Sequence, residues 1–171
     1  MRIGPVPAVS VALLGAVPAL AADAPCSKFS WPVDRELALL QASRVDTATG
    51  SVLTANAPLA LTLVLAKGAA LPTPSQKAAD PALFAGFATL TVPKQGDYLI
   101  SLSANSWIDA AQNGHRVDSN AHSGDPNCQG LRKSVRFTLE QGPLTIEISN
   151  NPAGRIDVAV TPWYWGAPAP Q

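Results

Sequence analysis

The chain has 171 residues, yet only two are cysteine, two histidine and one methionine, and charged residues make up just 14 %. Two cysteines without a Cys-x-x-Cys pair, and with no helix-borne histidine beside them, argue against a thiol redox motif or a cysteine-based zinc site. His115 and His122 are the whole histidine inventory. With Asp109, Asp118 or Asp125 they could in number supply the two histidines and one carboxylate of a non-haem iron centre. The closely spaced His-x-His followed by Glu of cupin oxygenases is missing, however, as is an ordered Asp-x-Asp-x-Asp-Gly calcium loop. A Gly-x-Ser-x-Gly nucleophile elbow is also absent, and Asn120-Ala121-His122-Ser123-Gly124 merely sets His beside Ser. Past the N-terminus, no apolar run is long enough to cross a membrane as a helix.

The first 21 residues combine Arg2, an apolar stretch through Val6, Val9, Val11, Leu13, Leu14 and Val17, and a Pro18-Ala19-Leu20-Ala21 ending. That is the layout of a secretory signal peptide over 1–21, and it predicts a periplasmic or secreted protein. Pro5, Pro7, Gly15 and Pro18 cut the apolar run below the roughly 20 residues of a membrane span. Cys26 follows Asp23-Ala24-Pro25, which does not resemble the lipid-modified cysteine of a bacterial lipoprotein. Residues 22–171 then form one expected domain, with 11 Lys and Arg against 12 Asp and Glu once Arg2 is removed. This balance gives no electrostatic reason to expect nucleic acid or an anionic membrane as partner. In an oxidising compartment, Cys26 and Cys128 are expected to form a disulfide that ties the N-terminal arm to the later half of the domain.

Sixteen prolines and twelve glycines favour short strands and turns. One short helix is expected over Arg35–Ala42, with Asp34 as its cap. Elsewhere the period is two: Leu59 to Ala66, Ala88 to Val92, Tyr98 to Leu102, Val135 to Leu139, Leu144 to Ile148 and Ile156 to Val160. Turn signals between these runs, Lys94-Gln95-Gly96-Asp97 and Gln141-Gly142-Pro143 among them, suggest adjacent antiparallel strands with one dry and one wet face. The expected fold is therefore an all-β antiparallel β-sandwich of jelly-roll type with a short N-terminal helix. Residues 68–82, rich in Ala and Pro, should form a loop outside the core, and Glu140 and Glu147 should lie on wet faces.

The most distinctive stretch runs from Trp107 to Gln129. Asn113-Gly114 between strand-like flanks is a hairpin signal, because both central positions of that turn require positive φ. A polar segment from Ser119 to Gln129, ending beside Cys128, is where a sandwich would carry a binding site. Trp107, Asp109, His115, Asp118, His122 and Asp125 are the candidate ligand-binding residues; neither catalytic residues nor metal or cofactor ligands are assigned. Trp163, Tyr164 and Trp165 near the C-terminus suit a plug for the sandwich core, or a platform on which sugars stack.

Cys26-x-Lys28-Phe29-Ser30-Trp31-Pro32, Glu-Leu-Ala-Leu-Leu, Gly-Asp-Tyr, Trp-Ile-Asp with Asn-Gly, Cys128-x-Gly-x-Arg-Lys-Ser-Val-Arg-Phe and Ile-Asp-Val-Ala-Val together resemble a group of small exported proteobacterial proteins of unknown function. The resemblance covers nearly all of residues 22–171. Gly96-Asp97-Tyr98-Leu99-Ile100-Ser101-Leu102 is also similar, in a generic way, to β-sandwich domains appended to secreted bacterial peptidases. Both resemblances imply fold and compartment, and neither brings catalytic residues. The expectation is a non-catalytic protein that binds an envelope partner or small ligand. A carbohydrate-binding accessory module and a metal-dependent, cupin-like oxygenase are the alternatives.

Overall fold

The computed structural model describes residues 26–53 and 57–163. The expected signal peptide, Tyr164 and Trp165 lie outside the described residues. The elements are α1 (Asp34–Gln41), β1 (Val45–Ala48), β2 (Ser51–Val52), β3 (Leu59–Thr62), β4 (Val64–Leu65), β5 (Phe84–Val92), β6 (Gly96–Leu102), β7 (Trp107–Gln112), β8 (His115–Val117), β9 (Ser119–Gly124), β10 (Lys133–Leu139), β11 (Gly142–Asn151) and β12 (Arg155–Pro162). The strands form two six-stranded sheets. Sheet I runs β1-β3-β12-β6-β10-β9; sheet II runs β2-β5-β11-β7-β8, with β4 also on β5. Pairing is antiparallel except for β1 with β3 and β2 with β5. The described residues form an all-β sandwich with one short α-helix.

The alternating leucines, isoleucines and valines fill the space between the sheets. Leu61, Ile100, Phe137, Leu139 and Val158 of sheet I meet Leu90, Ile108, Leu144, Ile146 and Ile148 of sheet II in one buried cluster. Two local expectations change here. β10 pairs with β6 and β9 whereas β11 pairs with β5 and β7, so the turn between them is a corner from one sheet to the other and not a hairpin. The dry faces of β10 and β11 therefore oppose each other across the core, an arrangement that period-two alternation alone cannot distinguish from side-by-side pairing. The run from Leu59 to Ala66 likewise divides, β3 pairing in sheet I and β4 in sheet II.

Both outer faces are covered. Over sheet I lie the N-terminal arm and α1, whose Glu36 and Leu40, one turn apart, are buried. Glu36 Oε1 accepts hydrogen bonds from Thr161 Oγ1 at 2.6 Å and from the Arg35 guanidinium at 2.9 Å. Val33 occupies the N-cap position and Asp34 is the first helical residue, without a side-chain capping bond, in place of the expected Asp34 cap. The expected disulfide is present, linking Cys26 to Cys128 across 102 residues of sequence, and Cys128 is buried beside Leu131 and Ala159.

Sheet II is covered by residues 69–83, which form the expected loop but act as a strap. Thr73 donates to Glu147 Oε1 through both its backbone N–H, at 2.8 Å, and its hydroxyl, at 2.6 Å. Ser75 Oγ and the Gln76 N–H donate to Asp109 Oδ2 at 3.0 and 3.1 Å. The Asp80 N–H reaches Asn150 Oδ1 at 2.8 Å. Glu147 is consequently 1 % exposed, not on a wet face as its strand position suggests. A segment outside any strand can sit on a sheet only if its polar backbone finds partners, and side-chain oxygens of the sheet, two of them on carboxylates, supply them.

Candidate functional site

The Asn113-Gly114 turn forms as its composition predicts, with φ of 53° and 76° and with Gln112 opposite His115. The resulting hairpin is lopsided. β8 pairs with β7 only at Ala110, Ala111 and Gln112, after which the chain passes through Asp118 into β9 of the other sheet. Among the described residues, no strand flanks the Trp107–Asp109 edge of β7 on that side.

A pocket of about 150 Å³ occupies this gap between the sheets. Its polar wall is Gln76, Trp107, Asp109, Ser119, His122 and Lys133, and its apolar wall includes Val117, Val135 and Phe137. Register explains the convergence. His122 lies opposite Val135 and Ser119 opposite Phe137, so both polar side chains of the edge strand share the core-facing side of β10. Trp107 and Asp109 alternate with the core residues Ile108 and Ala110 and so face the strap, which brings Gln76 and Lys77 to the same corner.

Asp109 is 3 % exposed, and both its oxygens are engaged. Oδ2 accepts the strap hydrogen bonds, and Oδ1 lies 3.4 Å from Arg116 Nε. Arg116 Nη2 also donates to the Pro74 carbonyl, so one guanidinium joins the carboxylate to the strap. Lys133 Nζ donates to the Ser106 carbonyl at 2.9 Å and lies 5.2 Å from the Trp107 ring centroid, with Lys77 Nζ at 5.8 Å from the same ring. Burial and then the neighbouring Lys77 charge hold the Lys133 ammonium below the usual lysine pKa, while Asp109 pulls the other way.

Of the six residues expected to bind a ligand, the structure brings Trp107, Asp109 and His122 to the pocket wall. His115 is exposed at the end of the β7–β8 hairpin, and Asp118 is exposed in the crossover. Asp125 is buried and occupied by the arm: its Oδ2 accepts the Lys28 N–H at 3.2 Å and its Oδ1 the Asn127 N–H at 2.8 Å. The segment expected to be an irregular loop is in its first half the strand β9, whose Ser123 Oγ accepts the Ser30 N–H at 2.8 Å. Polar side chains hid a strand here because an edge strand has little apolar surface to bury. Among the described residues, no three His, Cys, Asp or Glu side chains converge as metal ligands. The donor set that a cupin-like iron centre requires is thus not assembled there.

Sequence reasoning missed Lys133 and Gln76. Lys133 was detectable, since it shares parity with the inward-facing Val135, Phe137 and Leu139. Gln76 was not, because nothing local says where the strap crosses. Among the other aromatics, Trp163 is engaged edge-on by Trp31, with ring centroids 5.5 Å apart, and lies 5.4 Å from the Arg136 guanidinium. That arrangement is packing, and among the described residues it leaves Trp107 as the tryptophan at the pocket. No protein-family model matches the chain, and no match to it is found among curated proteins.

Proposed function

We propose that this is an exported, non-catalytic β-sandwich protein of the cell envelope that binds a small ligand in the pocket between β7 and β9. The observation that carries the reading is the convergence of Trp107, Asp109, His122 and Lys133 on one concave, partly apolar site with several polar groups, the usual composition of a small-molecule site. All four come from strands, and the neighbouring strap is fixed by buried carboxylates, so the site is held ready without rearrangement. Export is supported by the signal-like N-terminus, by the Cys26–Cys128 bond, and by the resemblance to small exported proteobacterial proteins. No helix among the described residues is long and apolar enough to cross a membrane. The order β3-β12-β6-β10 facing β5-β11-β7-β8 supports a jelly-roll reading of the sandwich.

The test is a ligand screen by nuclear magnetic resonance on isotope-labelled protein, with neutral and acidic sugars and small metabolites as the library. The indole N–H of Trp107, assigned with Trp107→Phe, and the amides of residues 117–122 are the reporters. Saturable shifts confined to these signals are expected from at least one compound. Binding that moves only signals elsewhere, or a library that leaves the pocket signals unchanged, refutes the reading.

A further inference from the structure

We infer that the pocket selects a small organic anion of about six heavy atoms, with the Lys133 ammonium as its charge-recognising group. The inference rests on the binding reading above and adds the ligand's charge and size. The size of the part that the pocket encloses follows from volume, because a cavity of about 150 Å³ accommodates a molecule such as benzene, and this pocket has the same volume.

Charge follows from which groups at the pocket are already engaged. Asp109 is the acidic side chain in the pocket wall, and its two oxygens are held by Arg116, Ser75 and the Gln76 N–H. Little of its acceptor capacity or charge is left for a ligand. The cationic side is in the opposite condition. Among the described residues Lys133 has one hydrogen-bond acceptor, the neutral Ser106 carbonyl, whereas an ammonium offers three donors. Lys77 Nζ lies near the same indole, so two ammonium groups share one ring, with no carboxylate among the described residues bonded to either. His122 and Ser119 add polar groups on the far wall. An anion at this corner would answer the unused donors of Lys133 and reduce the repulsion between the two lysines, whereas a cation would increase it. Burial and then Lys77 lower the Lys133 pKa against the opposing pull of Asp109, so the nearby carboxylate does not fully offset the cationic corner. Val135 and Phe137 on the remaining wall suit the carbon skeleton of an organic anion better than a fully hydrated inorganic ion.

Lactate and its neutral counterpart lactamide have the same number of heavy atoms and differ in charge, which makes them the probes. Each is titrated at neutral pH and constant ionic strength against the full exported chain, with the Trp107 indole and the residue 117–122 amides as reporters. Lactate should produce saturable shifts and bind at least about tenfold more tightly than lactamide, as a charge-assisted hydrogen bond requires. Lys133→Gln, with its fold verified by a far-ultraviolet spectrum and a thermal melt, should abolish that preference. Lys133→Arg keeps the charge and should retain the preference if the first variant proves unfolded. Equal affinity for the two probes overturns the anion inference but leaves the binding reading intact. The same holds if lactate is silent while another compound of the screen moves the pocket signals. Silence of these signals toward every compound defeats both.

Discussion

The covalent bond from Cys26 to Cys128 allows a quantitative test of how the N-terminal arm is held. The perturbation is the double substitution Cys26→Ala with Cys128→Ala; alanine is preferred to serine because Cys128 is fully buried and a serine hydroxyl there would lack a partner. The cystine spans 102 residues. For a loop of that length the chain-entropy relation gives about 16 cal/mol/K, or about 4.7 kcal/mol at room temperature, as the stabilisation from restricting the unfolded chain. Part of this is returned in the native state, where the freed arm gains motion even though the Lys28 and Ser30 N–H groups remain bonded to Asp125 and Ser123. The expected net loss is about 3–5 kcal/mol, which corresponds to a fall in melting temperature of roughly 10–15 °C for a domain of this size. Urea unfolding followed by tryptophan fluorescence and circular dichroism measures it. The urea dependence should steepen, since an uncross-linked unfolded chain exposes more surface. Reduced wild-type protein, which keeps both sulfur atoms, should lose a similar amount and so separates the cross-link from lost packing. A loss under about 1 kcal/mol with an unchanged urea slope would refute the reasoning.

Phe137 is 2 % exposed at the centre of the core and also forms part of the pocket wall; Phe137→Ala should cost about 3–5 kcal/mol in urea unfolding, and a loss under about 0.5 kcal/mol would contradict its inward placement. Glu147→Ala removes the acceptor of Thr73 but not that of Gln76, so hydrogen exchange at the Thr73 amide should accelerate by about tenfold or more, the equivalent of about 1.4 kcal/mol, while Gln76 keeps its protection. Parallel acceleration at both amides would show that the strap opens as one unit, without separate anchors at Glu147 and Asp109.

How much of this was readable in advance depends on the residue. Phe137, Ile146 and Leu90 could be placed in the core from alternation alone, because burying one face of a strand demands it. Asn113-Gly114 announced its turn because few other pairs tolerate two positive φ values. The pairing of Cys26 with Cys128 followed from a count of two in an expected oxidising compartment. Glu147 misled for a physical reason: a carboxylate at an outward strand position is normally solvated, and only a strap crossing from residues 69–83 makes it buried. Asp125 misled in the same way, since its partner Lys28 lies 97 residues away.

The sequence by itself determined the local and periodic features: the strand alternation, the hairpin turn, the short helix and the inward parity of Lys133. These depend on backbone geometry and on which face of an element must be dry, and both act over a few residues. Only the tertiary structure decided which sheet each strand joined, that β8 stops short and leaves the edge of β7 open, and that Trp107, Asp109, His122 and Lys133 share one pocket while His115, Asp118 and Asp125 do not. Those outcomes are set by contacts between residues far apart in the chain, and the energy of such a contact exists only once the two surfaces have met.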